Sequence, residues 1–306
     1  MSRNAGAGPA VQPARFPHIT RDWTTAGILR DVLIALVPAA AGAVWLRGWQ
    51  AVALLSVSVA VCIAGESLAC LASRKPLTIS DGSAAVTGVL LALALPADTP
   101  LPAVAAGALF AMWVVKAFFG GLGKNLLNPA LAGRFLILLV WPLPTAAVPV
   151  RTDWIDLFLR GSADPGSPIG SVPALLVLLG AAYLYLRGII TLTAPLAFFT
   201  ASAGMIWIFG GEHLFTGSPV LFMADGAVLL TGFFLLSDTV TMPATRAGRL
   251  VFGAGTGLLG AALLLWAQAP SGLFESVLVF NACSPLIERA TCPKPSGIGG
   301  RDYAKS

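Results

Sequence analysis

Charge is what this 306-residue chain has least of: 11% of its residues are Asp, Glu, Lys or Arg, where a soluble globular protein carries about 25%. With 57% hydrophobic residues and a mean hydropathy of +0.83, no stretch reads as a soluble domain. The chain is read as an all-α integral membrane protein, long enough for roughly ten spans of about 20 residues. Histidine is nearly absent. His18 and His213 both lie outside the apolar runs, which excludes a membrane haem held by helix histidines. Cys62, Cys70, Cys283 and Cys292 form no CxxC pair and no iron–sulfur run, and read as small apolar residues in or beside helices. No metal cluster is expected. There is no Ser/His/Asp constellation, GxSxG, P-loop or dinucleotide fingerprint, so hydrolytic and nucleotide chemistry have no carrier. The net charge of +5 comes from residues scattered at loop ends without an aromatic–basic stripe. It reads as topology information, and no nucleic-acid partner is expected.

Ten hydrophobic segments are legible: about Val32–Leu46, Ala51–Ala72, Ser83–Leu95, Pro102–Phe118, Asn128–Trp141, Val172–Leu186, Thr191–Phe209, Pro219–Leu236, Leu250–Ala267 and Leu273–Ile287. Several are short for a span and are bounded by Gly, Pro or a carboxylate, as expected of tilted or broken helices around an internal site. Residues 1–27 lack an apolar signal-peptide core and read as a tail. Lysine and arginine concentrate on one side when the N-terminus is placed inside, leaving only Arg47, Arg151 and Arg160 outside. Both termini are therefore expected in the cytoplasm, and residues 146–170 form an outward loop.

The two halves repeat short motifs. Leu46-Arg47-Gly48 and Leu186-Arg187-Gly188 close the first and sixth segments. Asp81-Gly82-Ser83-Ala84-Ala85-Val86-Thr87-Gly88 and Asp225-Gly226-Ala227-Val228-Leu229-Leu230-Thr231-Gly232 open the third and eighth. Five segments per half give the second copy the opposite polarity. This predicts two inverted five-helix repeats, residues 28–145 and 171–288, with a tail over 289–306 and a ligand near their interface.

Residues fitted to carry chemistry cluster at the breaks. Phe118 to Pro129 holds Gly120, Gly121, Gly123, Lys124, Asn125 and Asn128 between two apolar runs. Such a break survives at membrane depth only when buried in protein or lining a polar cavity. Asp81 and Asp225 fit equally well as helix N-caps or as ligand contacts, and Thr87 and Thr231 follow each at the same spacing. Asp238 and Thr241 sit in a second polar break, Ser237–Pro243. Glu66 lies inside a span, where a carboxylate is costly; it reads either as part of an ion pathway or as a partner for a neighbouring helix or subunit. These sites look built to hold a ligand, which leaves reactive chemistry to a cofactor.

The motifs Asp81-Gly82-Ser83-Ala84 with Thr87-Gly88, Leu95-Pro96, and Lys116 with Phe119-Gly120-Gly121-Leu122-Gly123-x-Asn125-x-x-Asn128-Pro129-Ala130 are specific. Gly133-Arg134, Asp238-x-Val240-Thr241-x-Pro243, Thr245-Arg246, Phe252-Gly253-Ala254-Gly255 and Asn281-x-x-x-Pro285-Leu286-Ile287 follow. On these residues the chain resembles the RnfD/NqrB family, membrane subunits of ion-translocating ferredoxin:NAD and NADH:quinone oxidoreductase complexes, from about Pro17 to Pro293. The resemblance implies ten spans in inverted repeats, a bacterial cytoplasmic membrane, iron–sulfur and flavin subunits as partners, and membrane lipid around the helices. It implies electron relay through flavins, coupled to Na⁺ or H⁺ movement, as part of a redox-driven translocase. Family members carry FMN esterified to a Thr in an outward Ser-Gly-Ala-Thr motif by a flavin transferase, and NqrB-type subunits hold riboflavin noncovalently. Flavin contact carries over onto the glycine–asparagine block. The chain departs from the pattern outside: Ser162-Ala163-Asp164-Pro165-Gly166-Ser167-Pro168 replaces that motif, with Ser167 at the acceptor position. A transporter or channel-like protein without redox chemistry, and a flavin-free scaffold subunit, are the alternatives.

Overall fold

A computed structural model describes residues 24–74, 81–118, 125–141, 153–238, 240–267, 269 and 272–292. Every regular element among them is helical. The first half contains α1 (Thr25–Arg47), α2 (Trp49–Ala72), α3 (Ser83–Leu93), α4 (Leu101–Phe110), running on into a π-helical segment Ala111–Ala117, and α5 (Pro129–Val140). A short α6 (Trp154–Arg160) lies between the halves. The second half contains α7 (Ala174–Arg187), α8 (Thr193–Phe209), α9 (Pro219–Met223), α10 (Gly226–Leu230) with a π-helical segment Thr231–Leu235, α11 (Arg246–Leu265) and α12 (Gly272–Thr291). The chain is an all-α membrane protein. By length and composition α1, α2 and α11 are long and apolar enough to cross a membrane; the other apolar helices are shorter.

The repeated motifs mark helix ends. Gly48 and Gly188 follow α1 and α7 with positive φ of 57° and 72°, which glycine adopts without a Cβ penalty, and Gly188 is a left-handed helix cap. Arg47 and Arg187 lie in the last turns, where a cation meets the negative end of the helix dipole. At the other motif, the Asp81 carboxylate accepts from Ser83 N at 2.8 Å and Asp225 accepts from Ala227 N at 2.9 Å. Each carboxylate thus satisfies an orphan N–H at a helix start.

The Thr-Gly pairs that follow are packing devices. Thr87 and Thr231 donate to the carbonyls four residues back, at 2.9 and 2.7 Å. Gly88 lies against α2, where an added Cβ would come 2.6 Å from the Val59 Cα, and Gly232 lies against the Phe199 ring of α8. Helices in lipid gain association from close backbone approach over small residues. Several pairings recur in both halves: α2 on α4 and α8 on α11, α4 on α5 and α11 on α12; α1 packs on α7, and α5 meets α12.

Three boundaries differ from the sequence expectation. Helix α1 starts at Thr25, inside the stretch assigned to the tail, because the Thr24 hydroxyl accepts from Gly27 N at 3.1 Å. The eighth apolar segment is broken at Ala224 and Asp225, so α9 and α10 are separate. The stretch expected as an outward loop contains α6, and its following residues are bonded to the helix ends. Ile169 N and Gly170 N both donate at 2.8 Å, to Leu95 O and Leu93 O. Arg134 Nε donates to Ala94 O at 2.8 Å, so three carbonyls at the end of α3 are satisfied.

Candidate ligand-binding site

Helices α1, α3 and α7, both π-helical segments and the chain from Asn125 to Ala130 enclose a cavity of about 400 Å³ between the two halves. That is within the usual range for a small-molecule site. Its apolar wall includes Ile28, Leu29, Val32, Val86, Leu90 and Phe233, and its polar groups come from Ser83, Thr87, Lys116, Asn125, Asn128 and Asp238. Both π-helical segments reach it, through Lys116 on one side and Phe233 and Phe234 on the other. A π turn sacrifices hydrogen-bond geometry and recurs at functional sites.

The folded chain therefore gathers Thr87, Asn125, Asn128 and Asp238, predicted from separate stretches, around one space. Asn128 does two jobs. Its Oδ1 caps α5 by accepting from Ala130 N and Leu131 N at 3.0 and 3.3 Å, with Pro129 at the first helical position. Its Nδ2 donates to Asp238 Oδ2 over a long 3.4 Å, tying the first half to the second. Asp238 Oδ1 also accepts from Val240 N at 3.1 Å. Burial pushes the Asp238 carboxyl above its ordinary range, against the lowering effect of that backbone N–H. Asn125 is 8% exposed, and its Oδ1 is buried with no hydrogen-bond partner among the described residues. A buried acceptor left unpaired is costly, and the residue that carries it lines the cavity.

Other predicted residues go elsewhere. Asp81 holds Ser83 through the two bonds to its Oδ1 and does not itself line the cavity. Asp225 caps α10, and Thr231 is buried without reaching the space. Thr241 is buried beside the second break. Gly120, Gly121, Gly123 and Lys124 lie outside the described residues. Glu66 on α2 accepts from Lys116 Nζ at 2.6 Å, and both side chains are almost fully buried.

Ser167 is poorly placed for esterification. The residue is 6% exposed. Its hydroxyl donates to Asp164 O at 2.8 Å and accepts from Arg47, whose guanidinium also donates to Ala163 O and Asp164 O at 2.9 Å each. A nucleophile for a transferase needs a free, reachable oxygen, so the residues present do not fit a covalent FMN here. The cavity between the halves is a different setting: a largely apolar slot bearing a few polar residues, one of them with a buried acceptor unpartnered among the described residues.

Sequence reasoning passed over Lys116 as a site residue, although an intramembrane charge is as costly there as at Glu66. It also missed Arg134, which is 2% exposed, bridges to Glu275 at 2.7 Å and lies 4.3 Å from the Phe274 ring centroid.

The fold is that of a helical membrane protein with a cavity between its halves. The chain belongs to the NQR2, RnfD, RnfE family, whose model matches residues 13–297. It is 35% identical to the D subunit of the Na⁺-translocating ferredoxin:NAD⁺ oxidoreductase complex of Acetobacterium woodii, covering 92% of this chain and 94% of that one. It is 31% identical to the D subunit of the proton-translocating ferredoxin:NAD⁺ oxidoreductase complex of Clostridium ljungdahlii, over the same shares. The D subunit of the ion-translocating oxidoreductase complex of Methanosarcina acetivorans is also 31% identical, over 92% of this chain and 95% of its own.

Proposed function

We propose that this chain is the D subunit of an Rnf-type ion-translocating oxidoreductase complex and holds a noncovalent flavin in the cavity between its halves. The single observation that carries the flavin is the roughly 400 Å³ cavity lined by Asn125, whose buried Oδ1 has no partner among the described residues. The relatives' names support the assembly, and the matched family covers nearly the whole chain. A bound flavin accepts and passes on electrons one or two at a time. The chain's own residues do the rest. Asn125 supplies an acceptor for a ligand N–H, the Asn128–Asp238 contact closes one end of the cavity, and the apolar faces of α1 and α3 keep water from the ring. In this reading both termini lie in the cytoplasm, the protein spans the bacterial cytoplasmic membrane, and its partners are the iron–sulfur and flavin subunits of the complex.

The test is extraction. The complex is solubilised from its host membrane, denatured, and the released small molecules are identified by mass. Riboflavin or FMN is expected in amounts stoichiometric with this subunit, and lost from the subunit purified with Asn125→Leu. A wild-type complex in which this subunit carries no extractable flavin overturns the proposal. A flavin-free transporter or scaffold is then the better reading, with the Glu66–Lys116 pair as the group to test for ion movement.

A further inference from the structure

The cavity wall carries a cation whose hydrogen-bonding capacity is not exhausted. Lys116 Nζ donates to Glu66 Oε1 at 2.6 Å and to the Ser83 hydroxyl. Ser83 is held in turn, its hydroxyl and backbone N–H both donating to Asp81 Oδ1, at 2.6 and 2.8 Å. The ammonium is thus aimed by three residues on two helices and the break before α3. An ammonium has three donors, and no described residue takes the third. Lys116 is 5% exposed yet lines the cavity. A lysine serving only as counter-ion to Glu66 has no need of a place on that wall. The same lining includes Asn125, which has the opposite deficit: a buried Oδ1 with no partner among the described residues.

One unfilled donor and one unfilled acceptor match an imide edge, in which an N–H is flanked by carbonyls. We infer that Lys116 is a recognition residue for the bound ligand: its remaining N–H donates to a carbonyl of the imide edge, Asn125 accepts the imide N–H, and Glu66 and Ser83 position the ammonium. This rests on the reading that the cavity holds a flavin and assigns that site its polar end. The charge has a second consequence. Replacing Glu66 with glutamine removes a negative charge beside the ammonium and makes the field at the ligand more positive. Reduction adds negative charge to the ligand, and a more positive field favours the reduced form.

The full chain, purified in detergent and freed of flavin, is titrated with riboflavin and with FMN, which share the imide edge. Fluorescence quenching gives the affinity, and the two titrations separate any contribution of the phosphate. Removing both charges at once with the double variant K116M/E66Q avoids stranding a buried Glu66, and is expected to weaken riboflavin at least tenfold. E66Q alone raises the midpoint potential of bound riboflavin, by 59 mV for each tenfold preference in a one-electron step; an unmoved potential overturns the placing of the Lys116–Glu66 pair beside the ligand. A ligand-side test needs no variant to fold: wild-type protein is expected to bind 3-methyllumiflavin at least tenfold more weakly than lumiflavin, because the methyl group removes the N–H offered to Asn125. Wild-type protein that binds riboflavin while the double variant binds within twofold, or that binds lumiflavin and its 3-methyl form equally, overturns the inference and leaves the proposed function standing. Wild-type protein that binds no flavin overturns the proposed function itself.

Discussion

Arg134 offers the sharpest stability test. It is 2% exposed and joins three elements: Nε donates to Ala94 O at the end of α3, NH1 pairs with Glu275 of α12 at 2.7 Å, and the guanidinium lies 4.3 Å from the Phe274 ring centroid. Arg134→Met conserves most of the volume and deletes the charge. It orphans the Ala94 carbonyl, at about 1–3 kcal/mol, and leaves Glu275 without its cation. Breaking a buried pair from one side costs about 3–5 kcal/mol, and Glu275 at 22% side-chain exposure places that part near the lower end, so the two together come to about 4–6 kcal/mol. At about 2 °C or more per kcal/mol that is at least about 8 °C in Tm. The assay is tryptophan fluorescence during heating in one detergent at one scan rate, since membrane proteins unfold irreversibly and Tm then depends on rate. Glu275→Gln keeps an oxygen for Arg134 and is expected to lose about half as much. Arg134→Met combined with Glu275→Leu is expected to be more stable than Arg134→Met alone, because no carboxylate is left stranded. Arg134→Met within 2 °C of wild type, or the double variant below the single, refutes this account of α3's anchoring.

Gly88→Val drives a side chain into the α2 backbone at Val59 and is expected to cost more than the about 1–3 kcal/mol of ordinary overpacking, seen as lost expression or aggregation on gel filtration; a monodisperse product with wild-type Tm counts against the close approach. Asn281 is fully buried with both amide atoms unpartnered among the described residues, so Asn281→Leu removes a desolvation cost of about 1–3 kcal/mol and raises Tm. A fall in Tm instead reveals a polar partner for that amide. Because the Asp238 carboxyl is pushed up by burial, the folded state holds that proton to higher pH than the unfolded chain. Its contribution is complete below about pH 4 and is lost as pH rises through the raised value. The Tm advantage of Asp238→Asn over wild type should therefore grow from acid toward neutral pH and then level off; growth toward acid reverses the sign and the argument. Intact-mass spectrometry of wild type and Ser167→Ala is expected to show the same absence of an FMN-sized addition; an addition lost only in the variant establishes attachment at the buried hydroxyl.

Membership of the membrane class and the run of helices were legible because hydrocarbon imposes one rule on every residue it touches: satisfy the backbone internally and keep charge out. That rule acts locally, so scarce charge, apolar runs, Leu-Arg-Gly stops and Asp starts could each be read in place. The helix α6 escaped because a seven-residue element with Asp156 and Arg160 on it looks like any polar loop. The break between α9 and α10 is half legible: Asp225 reads as a helix start, while the apolar residues on either side of it read as one segment. The repeated Asp and Thr-Gly motifs were seen, but spacing alone left capping and ligand contact equally open. Only the hydrogen bonds assign the two aspartates to capping.

From the chain alone came an all-α membrane protein, the two sets of helix-end signals, and most of the cavity's polar residues as separate candidates. What only the tertiary structure decided is which of them share one space. Lys116 meets Glu66 across 50 positions and Arg134 meets Glu275 across 141, and Asn128 reaches Asp238 across 110. No local propensity encodes such pairings. They follow from helices packed over glycine at close range, which bring buried charges together because neither can be stabilised alone in a medium without water.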